Sequence, residues 1–386
     1  MNRKISKREF LKISATGISV SLLGGHAARS MASNMKHMIT GSSSSSGNLG
    51  KYSKESPYYI ATPKGIKCQI CPNQCIIREG QESICRTHVV QGEKLYSIAY
   101  GNPCSVHVDP IEKKPLFHYL PSTSSFSIAT AGCTLACLNC HNWEISQVSP
   151  RDTRNMDLMP AQVVEEAAKN GCRSIAYTYA EPIAFFEYTY DTARIARTRG
   201  IRNLLISNGY INEKPIRDLA VYLDAANINL KSFSEDIYAK LNGGSLEPVL
   251  RTLKILKEMK VWLEITNLIV PNWTDKPAMI TEMCIWLVTN GFADYPLHFL
   301  RFFPLYKLTT LPYTPEAVLN QARDIAMKAG MKYVYIGNVP GTLAENTYCP
   351  KCKKAVLERK GFTILTNRIK NGNCMFCGTK INGVWN

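Results

Sequence analysis

A chain of 386 residues with 45% hydrophobic and 20% charged side chains has the composition of a globular protein that buries a full core. It is neither a disordered tail nor a disulfide-stapled miniprotein. Part of the formal charge of +16 lies in the N-terminal tail and the body has no dense Lys/Arg run, so a solvated basic surface explains it and no nucleic-acid partner is expected. Most of the 14 cysteines fall in groups at metal-ligand spacing, which argues for metals over disulfides, and Cys104, Cys172 and Cys284 are left as packing residues.

In chain order, residues 1–32 resemble a twin-arginine export signal. Ser6-Lys7-Arg8-Glu9-Phe10-Leu11-Lys12 precedes a mildly apolar run from Ile13 to Gly25, with Lys7 in place of the first arginine. The run is short and rich in Gly and Ser for a membrane span. A Ser/Gly-rich flexible linker is expected over residues 33–60. Export or membrane association is thus expected, with a cytoplasmic location as the alternative. Residues 61–122 form a Cys-rich segment in which Cys68, Cys71, Cys75 and Cys85 suit either a tetrahedral zinc or an iron–sulfur centre.

Residues 123–340 alternate short β-branched runs with amphipathic ones. Strands are predicted at Ser125–Ala131, Ser174–Tyr179, Asn203–Ser207, Ala226–Leu230, Trp262–Val270, Leu297–Phe303 and Lys332–Ile336. Helices are predicted at Ala161–Asn170, Phe185–Arg199, Glu247–Lys260, Pro277–Asn290 and Pro315–Ala329, the last with Thr314 as N-cap before Pro315. This is an α/β chain with a parallel sheet. Six or seven βα units are too few for an ordinary eight-stranded barrel and fit a partial, open (βα)6-type barrel with its site at the strand C-termini. In residues 341–386, Cys349-x₂-Cys352 and Cys374-x₂-Cys377 flank a β-rich spacer, a zinc-ribbon-like pattern for which structural zinc is the first choice over an auxiliary cluster.

The most telling stretch follows the first core strand. Cys133-x₃-Cys137-x₂-Cys140 puts three thiolates on one loop, enough for three irons of a cubane, with no fourth cysteine at ligand spacing. One iron then keeps an open position for a small chelating ligand. A zinc loop is the alternative, although zinc knuckles usually present C-x₂-C pairs. Polar residues close the successive strands: Tyr179-Ala180-Glu181-Pro182, Ser207-Asn208, Asn229-Leu230-Lys231, then His298 and Arg301. Such a ring suits a cofactor with amino, carboxylate and ribose groups.

These features resemble the radical S-adenosylmethionine (SAM) superfamily. Cys140-His141-Asn142 and Asn229-Leu230-Lys231 look like glycyl-radical activating enzymes such as pyruvate formate-lyase activase. The segments Asp109–Pro115, Asn142–Gln147 and Tyr333–Asn338 resemble the radical SAM protein of the AmmeMemoRadiSam system, a likeness running from about Cys68 to Trp385. The resemblance implies a [4Fe–4S] cluster on Cys133, Cys137 and Cys140, with SAM bound at Tyr179, Ala180 and Glu181 (amino group), Ser207 and Asn208 (ribose), Lys231 (carboxylate) and His298. It implies reductive cleavage of SAM to a 5′-deoxyadenosyl radical that abstracts hydrogen from a protein, peptide or small-molecule substrate, with electrons from a flavodoxin- or ferredoxin-like donor. No side-chain base is required. Two positions depart from the pattern: Asn139 replaces a usual aromatic before the third cysteine, and Asn229 replaces an acidic residue. An iron–sulfur electron-transfer protein would not need the strand-end ring, and a zinc-dependent nucleic-acid binder would leave the central trio unused.

Overall fold

The computed structural model describes residues 49–386; the expected signal at residues 1–32 and most of the expected linker lie outside the described residues. No helix among the described residues is long and apolar enough to cross a membrane.

One sheet organises the chain. Its strands are β1 (Ser105–Pro110), β2 (Ser124–Ala129), β3 (Ser174–Tyr177), β4 (Arg202–Ser207), β5 (Ala225–Asn229), β6 (Trp262–Ile269), β7 (Leu297–Arg301) and β8 (Val334–Gly337), neighbours in that same order. β1 runs antiparallel to β2, and every later neighbouring pair is parallel. Six helices make the crossovers: α1 (Pro160–Lys169), α2 (Phe186–Thr198), α3 (Glu213–Ala220), α4 (Glu247–Glu258), α5 (Pro277–Thr289) and α6 (Glu316–Ala329). The two outer strands do not pair with each other, so the expected (βα)6-type barrel is present and open. Strands buried on both faces read as near-continuous apolar runs, which is why the sequence marked them.

Four details differ from the sequence reading. Lys54–Glu55 and Tyr59–Thr62 are strands inside the expected linker, held down where Tyr58 packs edge-on to Phe186 and donates to Asp218 at 2.8 Å. β1 comes from the Cys-rich segment yet extends the barrel sheet. Helix α3 was missed because Pro215 breaks its pattern; Pro215 sits in the first turn, where a helical N–H has no partner to lose. Thr314 does not cap α6, since Pro315 holds that place; the Thr314 hydroxyl instead donates to Ile269 C=O at 2.5 Å and accepts from Phe302 N–H at 3.0 Å.

The end of the barrel opposite the strand C-termini is plugged by a buried polar hub. The Glu264 carboxylate accepts from Phe117 N–H at 2.9 Å, His118 N–H at 2.7 Å and His298 Nε2 at 2.6 Å. Burial pushes its pKa up, but these donors outweigh it and hold the carboxyl below the ordinary value. The C-terminal segment closes on the same hub. Buried Arg359 lies 4.1 Å over the Phe117 ring and donates to Phe117 C=O at 2.9 Å. Leu120 and Val384 are linked by a 2.7 Å backbone hydrogen bond, and Val384 donates to His118 C=O at 2.8 Å.

Candidate active site

The loop after β2 is shaped before any cofactor enters it. Gly132 takes φ of +101°, and a Cβ there would lie 2.4 Å from Thr87 Cγ2 and 2.5 Å from Cys85 C=O, so only glycine fits. Ala136 and Leu138 N–H donate to the carbonyls of Asn242 and Leu241, both at 2.9 Å, pinning the cysteine loop to the turn after β5. We expect Gly132→Ala to cost at least about 1 kcal/mol and to reduce iron uptake; an unchanged urea midpoint would show that the Thr87 segment gives way.

Each thiol of the trio has its own polar neighbour. Asn208 Nδ2 stands 3.8 Å from Cys133 Sγ, Asn242 Nδ2 3.3 Å from Cys137 Sγ, and Ser146 Oγ 3.0 Å from Cys140 Sγ. Hydrogen bonds to ligating sulfur tune the potential of a bound cluster. Burial pushes the Cys133 thiol well above its ordinary pKa, with the Glu181 charge adding to the effect, so metal must displace its proton.

The three cysteines form one wall of a cavity of about 470 Å³ whose other walls include Tyr179, Ala180, Glu181, Ser207, Asn208 and Lys231. Buried Glu181 is held rigidly: Ser207 Oγ donates to it at 2.6 Å, Asn208 N–H at 2.8 Å and Ile183 N–H at 3.2 Å. Burial nonetheless leaves its carboxyl raised. Burial also pulls the Lys231 ammonium down, but the negative charge of the three cysteine sulfurs when ionised, together with Glu181, outweighs this and raises it. Asn139 presents a buried Oδ1 without a hydrogen-bond partner, and Asn229 donates to Ser207 C=O at 3.3 Å. His298 is the expected site residue that does not line the cavity. It lies on β7 in the hub, bonded to Glu264 and stacked on Tyr335 at 5.1 Å.

The sequence reading overlooked a charged network on the opposite wall. Asp109 accepts from Lys113 at 3.0 Å and from buried Lys114 at 2.6 Å, and the Tyr179 hydroxyl donates to it. Burial pulls the Lys114 pKa down to about 8 despite Asp109. Tyr179 is held at φ of +63°, its carbonyl accepting from Asn142 Nδ2 at 2.6 Å, so the network keeps a bulky residue in the left-handed region at the cavity wall.

Away from this cavity, Cys349, Cys352, Cys374 and Cys377 bring their sulfurs within 4.8 Å of one another, a metal-binding arrangement. Cys349 and Cys377 are 3.6 Å apart, and Cys352 and Cys374 are 3.8 Å apart. Cys104 is partly buried, and Cys172 and Cys284 are buried.

The donor set fits an iron–sulfur cluster with one open iron: three thiols share a loop, and a partly buried lysine and a buried carboxylate line the same cavity. An uncharacterized protein of Methanocaldococcus jannaschii is 44% identical over 318 residues, covering 82% of this chain and 95% of its own. The pyruvate formate-lyase-activating enzyme of Staphylococcus epidermidis is 24% identical over 235 residues, 56% of this chain and 92% of its own. Among solved structures, a radical SAM methyltransferase from Sphaerobacter thermophilus aligns over 57% of this chain and 68% of its own, at 15% identity and a TM-score of 0.43. The radical SAM superfamily model matches residues 127–283, beginning in β2, passing through the three-cysteine loop and ending in α5. That span takes in the loop and the strand ends that wall the cavity, and the chain belongs to the radical SAM superfamily of enzymes.

Proposed function

We propose that the protein is an activating-enzyme-like radical SAM enzyme that abstracts hydrogen from a protein or peptide substrate. The observation that carries this reading is the placement of Glu181, Ser207, Asn208 and Lys231 around one cavity shared with Cys133, Cys137 and Cys140. When bound, the cluster and SAM supply a 5′-deoxyadenosyl radical. The chain's own residues bind and shield it. Lys231 would meet the SAM carboxylate and Glu181 would offer its remaining lone pairs to the amino group, while Ser207 and Asn208, which line the same cavity, would lie beside the ribose and hold Glu181 and Thr134 in place. Asn139, where the family usually has an aromatic residue near the adenine, lines the same cavity.

Exposed aromatic side chains favour a polypeptide substrate: Phe362 lines the cavity and is 52% exposed, and Trp143, next in sequence to the lining residue Asn142, stacks on Tyr306 at 5.3 Å. A flavodoxin- or ferredoxin-like protein is the proposed electron donor. Anaerobically reconstituted, dithionite-reduced protein should release 5′-deoxyadenosine from SAM even without substrate, as followed by liquid chromatography. Normal SAM binding with no 5′-deoxyadenosine would favour an electron-transfer protein instead.

For the C-terminal quartet we propose structural zinc. A tetrahedral ion with Zn–S bonds of about 2.3 Å separates its ligands by about 3.8 Å, and the Cys349–Cys377 and Cys352–Cys374 sulfur pairs stand at 3.6 and 3.8 Å. Chelation should therefore lower the thermal midpoint while leaving the central cluster's iron in place. Loss of central iron in step with zinc, or no change in midpoint, would count against this assignment.

A further inference from the structure

Four clustered thiols belong to neither the central trio nor the C-terminal quartet. Cys68 ends the strand Gly65–Cys68, Cys71 and Cys75 occupy the turn that follows, and Cys85 precedes the strand His88–Gln91. Cys68 N–H donates to Cys75 C=O at 2.9 Å, closing the turn. Asn212, just before α3, donates from its side chain to the carbonyls of Gln69 at 2.7 Å and Cys71 at 3.1 Å, fixing the turn to the barrel. Cys68, Cys71 and Cys85 are buried and Cys75 partly so.

Spacing separates this group from the C-terminal one. Among the described residues only the C-terminal quartet brings three or more metal-ligating atoms within 4.8 Å of one another. The N-terminal sulfurs are therefore spread wider, as are those of Cys133, Cys137 and Cys140. A single tetrahedral zinc needs all four at about 3.8 Å, whereas in a cubane each thiolate takes a different iron and the sulfurs stand further apart.

The surroundings of Cys85 suit a ligating thiolate. Ser83 Oγ and Thr87 Oγ1 each lie 3.0 Å from its sulfur and His88 Nδ1 lies 3.5 Å away. His88 Nε2 faces Glu187 Oε2 at 3.2 Å. Each of these three groups can donate to an ionised sulfur, and hydrogen bonds of that kind orient and tune a ligating thiolate. The same groups resemble a nucleophile–base–carboxylate array, but Cys85 is 7% and His88 1% exposed, so no substrate reaches the sulfur.

We propose that Cys68, Cys71, Cys75 and Cys85 hold a second four-iron cluster, seated directly behind the loop that carries the first. The two loops touch: Gly132 abuts Cys85 C=O and Thr87, and Asn73 Nδ2 donates to Thr134 C=O at 2.7 Å. Two reduced clusters so placed interact magnetically.

The test uses the full chain with Cys133, Cys137 and Cys140 all replaced by alanine, reconstituted anaerobically with iron and sulfide. About four irons and four sulfides per chain should remain, with a reduced EPR signal that SAM does not alter; adding Cys85→Ala should abolish it. The parent should hold about eight of each, and its doubly reduced EPR signal should be broadened by coupling. His88→Gln should lower the midpoint potential of this cluster and leave that of the SAM-responsive one unchanged. Counting sulfide excludes a lone iron in the C-terminal quartet. A folded triple variant without sulfide, or one that takes up zinc at these thiols, overturns the proposal. So does a parent with only about four sulfides, even if the triple variant fails to fold. Absence of 5′-deoxyadenosine would not alter these counts, so the two readings fail separately.

Discussion

Alanine at Cys133, Cys137 or Cys140 should abolish the SAM-responsive four-iron EPR signal and reduce 5′-deoxyadenosine release to background. Each thiolate of such a site takes one iron, and the loop holds no fourth cysteine to replace a lost one. The nearest polar side chains, Asn208, Asn242 and Ser146, support the sulfurs from behind. Cys104→Ala is the control: its thiol contacts only Ala129 C=O at 3.6 Å, and both signals should persist. A variant lacking all three loop cysteines that still gives a SAM-perturbed spectrum would remove the basis for the active site.

Lys231→Met and Glu181→Gln should each weaken SAM binding about ten- to a hundredfold, the equivalent of losing a hydrogen bond to a charged group at about 1.5–3 kcal/mol. They act differently. Lys231→Met deletes the cation proposed to meet the SAM carboxylate and spares its neighbours. Glu181→Gln also sets an amide N–H₂ against the Ser207 hydroxyl or Asn208 N–H, leaving a buried donor without its acceptor. His298→Gln should lower stability through the Glu264 hub without changing SAM affinity. Anaerobic titration of all three variants checks this, and parental affinity in both Lys231→Met and Glu181→Gln would mean that SAM sits elsewhere.

The barrel was legible because parallel strands buried on both faces leave apolar runs at regular intervals, and the cysteine trio because its ligands are local in sequence. What stayed hidden depends on partners far along the chain. His298 looked like another strand-end polar residue, and only the position of Glu264 on the neighbouring strand shows that it faces the hub. Asn242 reaches Cys137 across more than a hundred residues of chain. Asp109 and Lys114 are near neighbours in sequence, but the third member of their network, Tyr179, lies seventy residues on. In α3, local chemistry misled, since a proline that breaks most helices is harmless in a first turn.

The backbone pairing of Val384 with His118 and Leu120 also sets an order of events during synthesis. The hub end of the barrel is closed by residues made more than 250 positions after those they meet, so it cannot form while that tail is still inside the ribosome. The parallel sheet can assemble progressively as each βα unit emerges, but it keeps an unsealed end until this late contact. Structural metal at the C-terminal cysteines, incorporated last, would then act as a checkpoint that a translated barrel passes before it is fully stable.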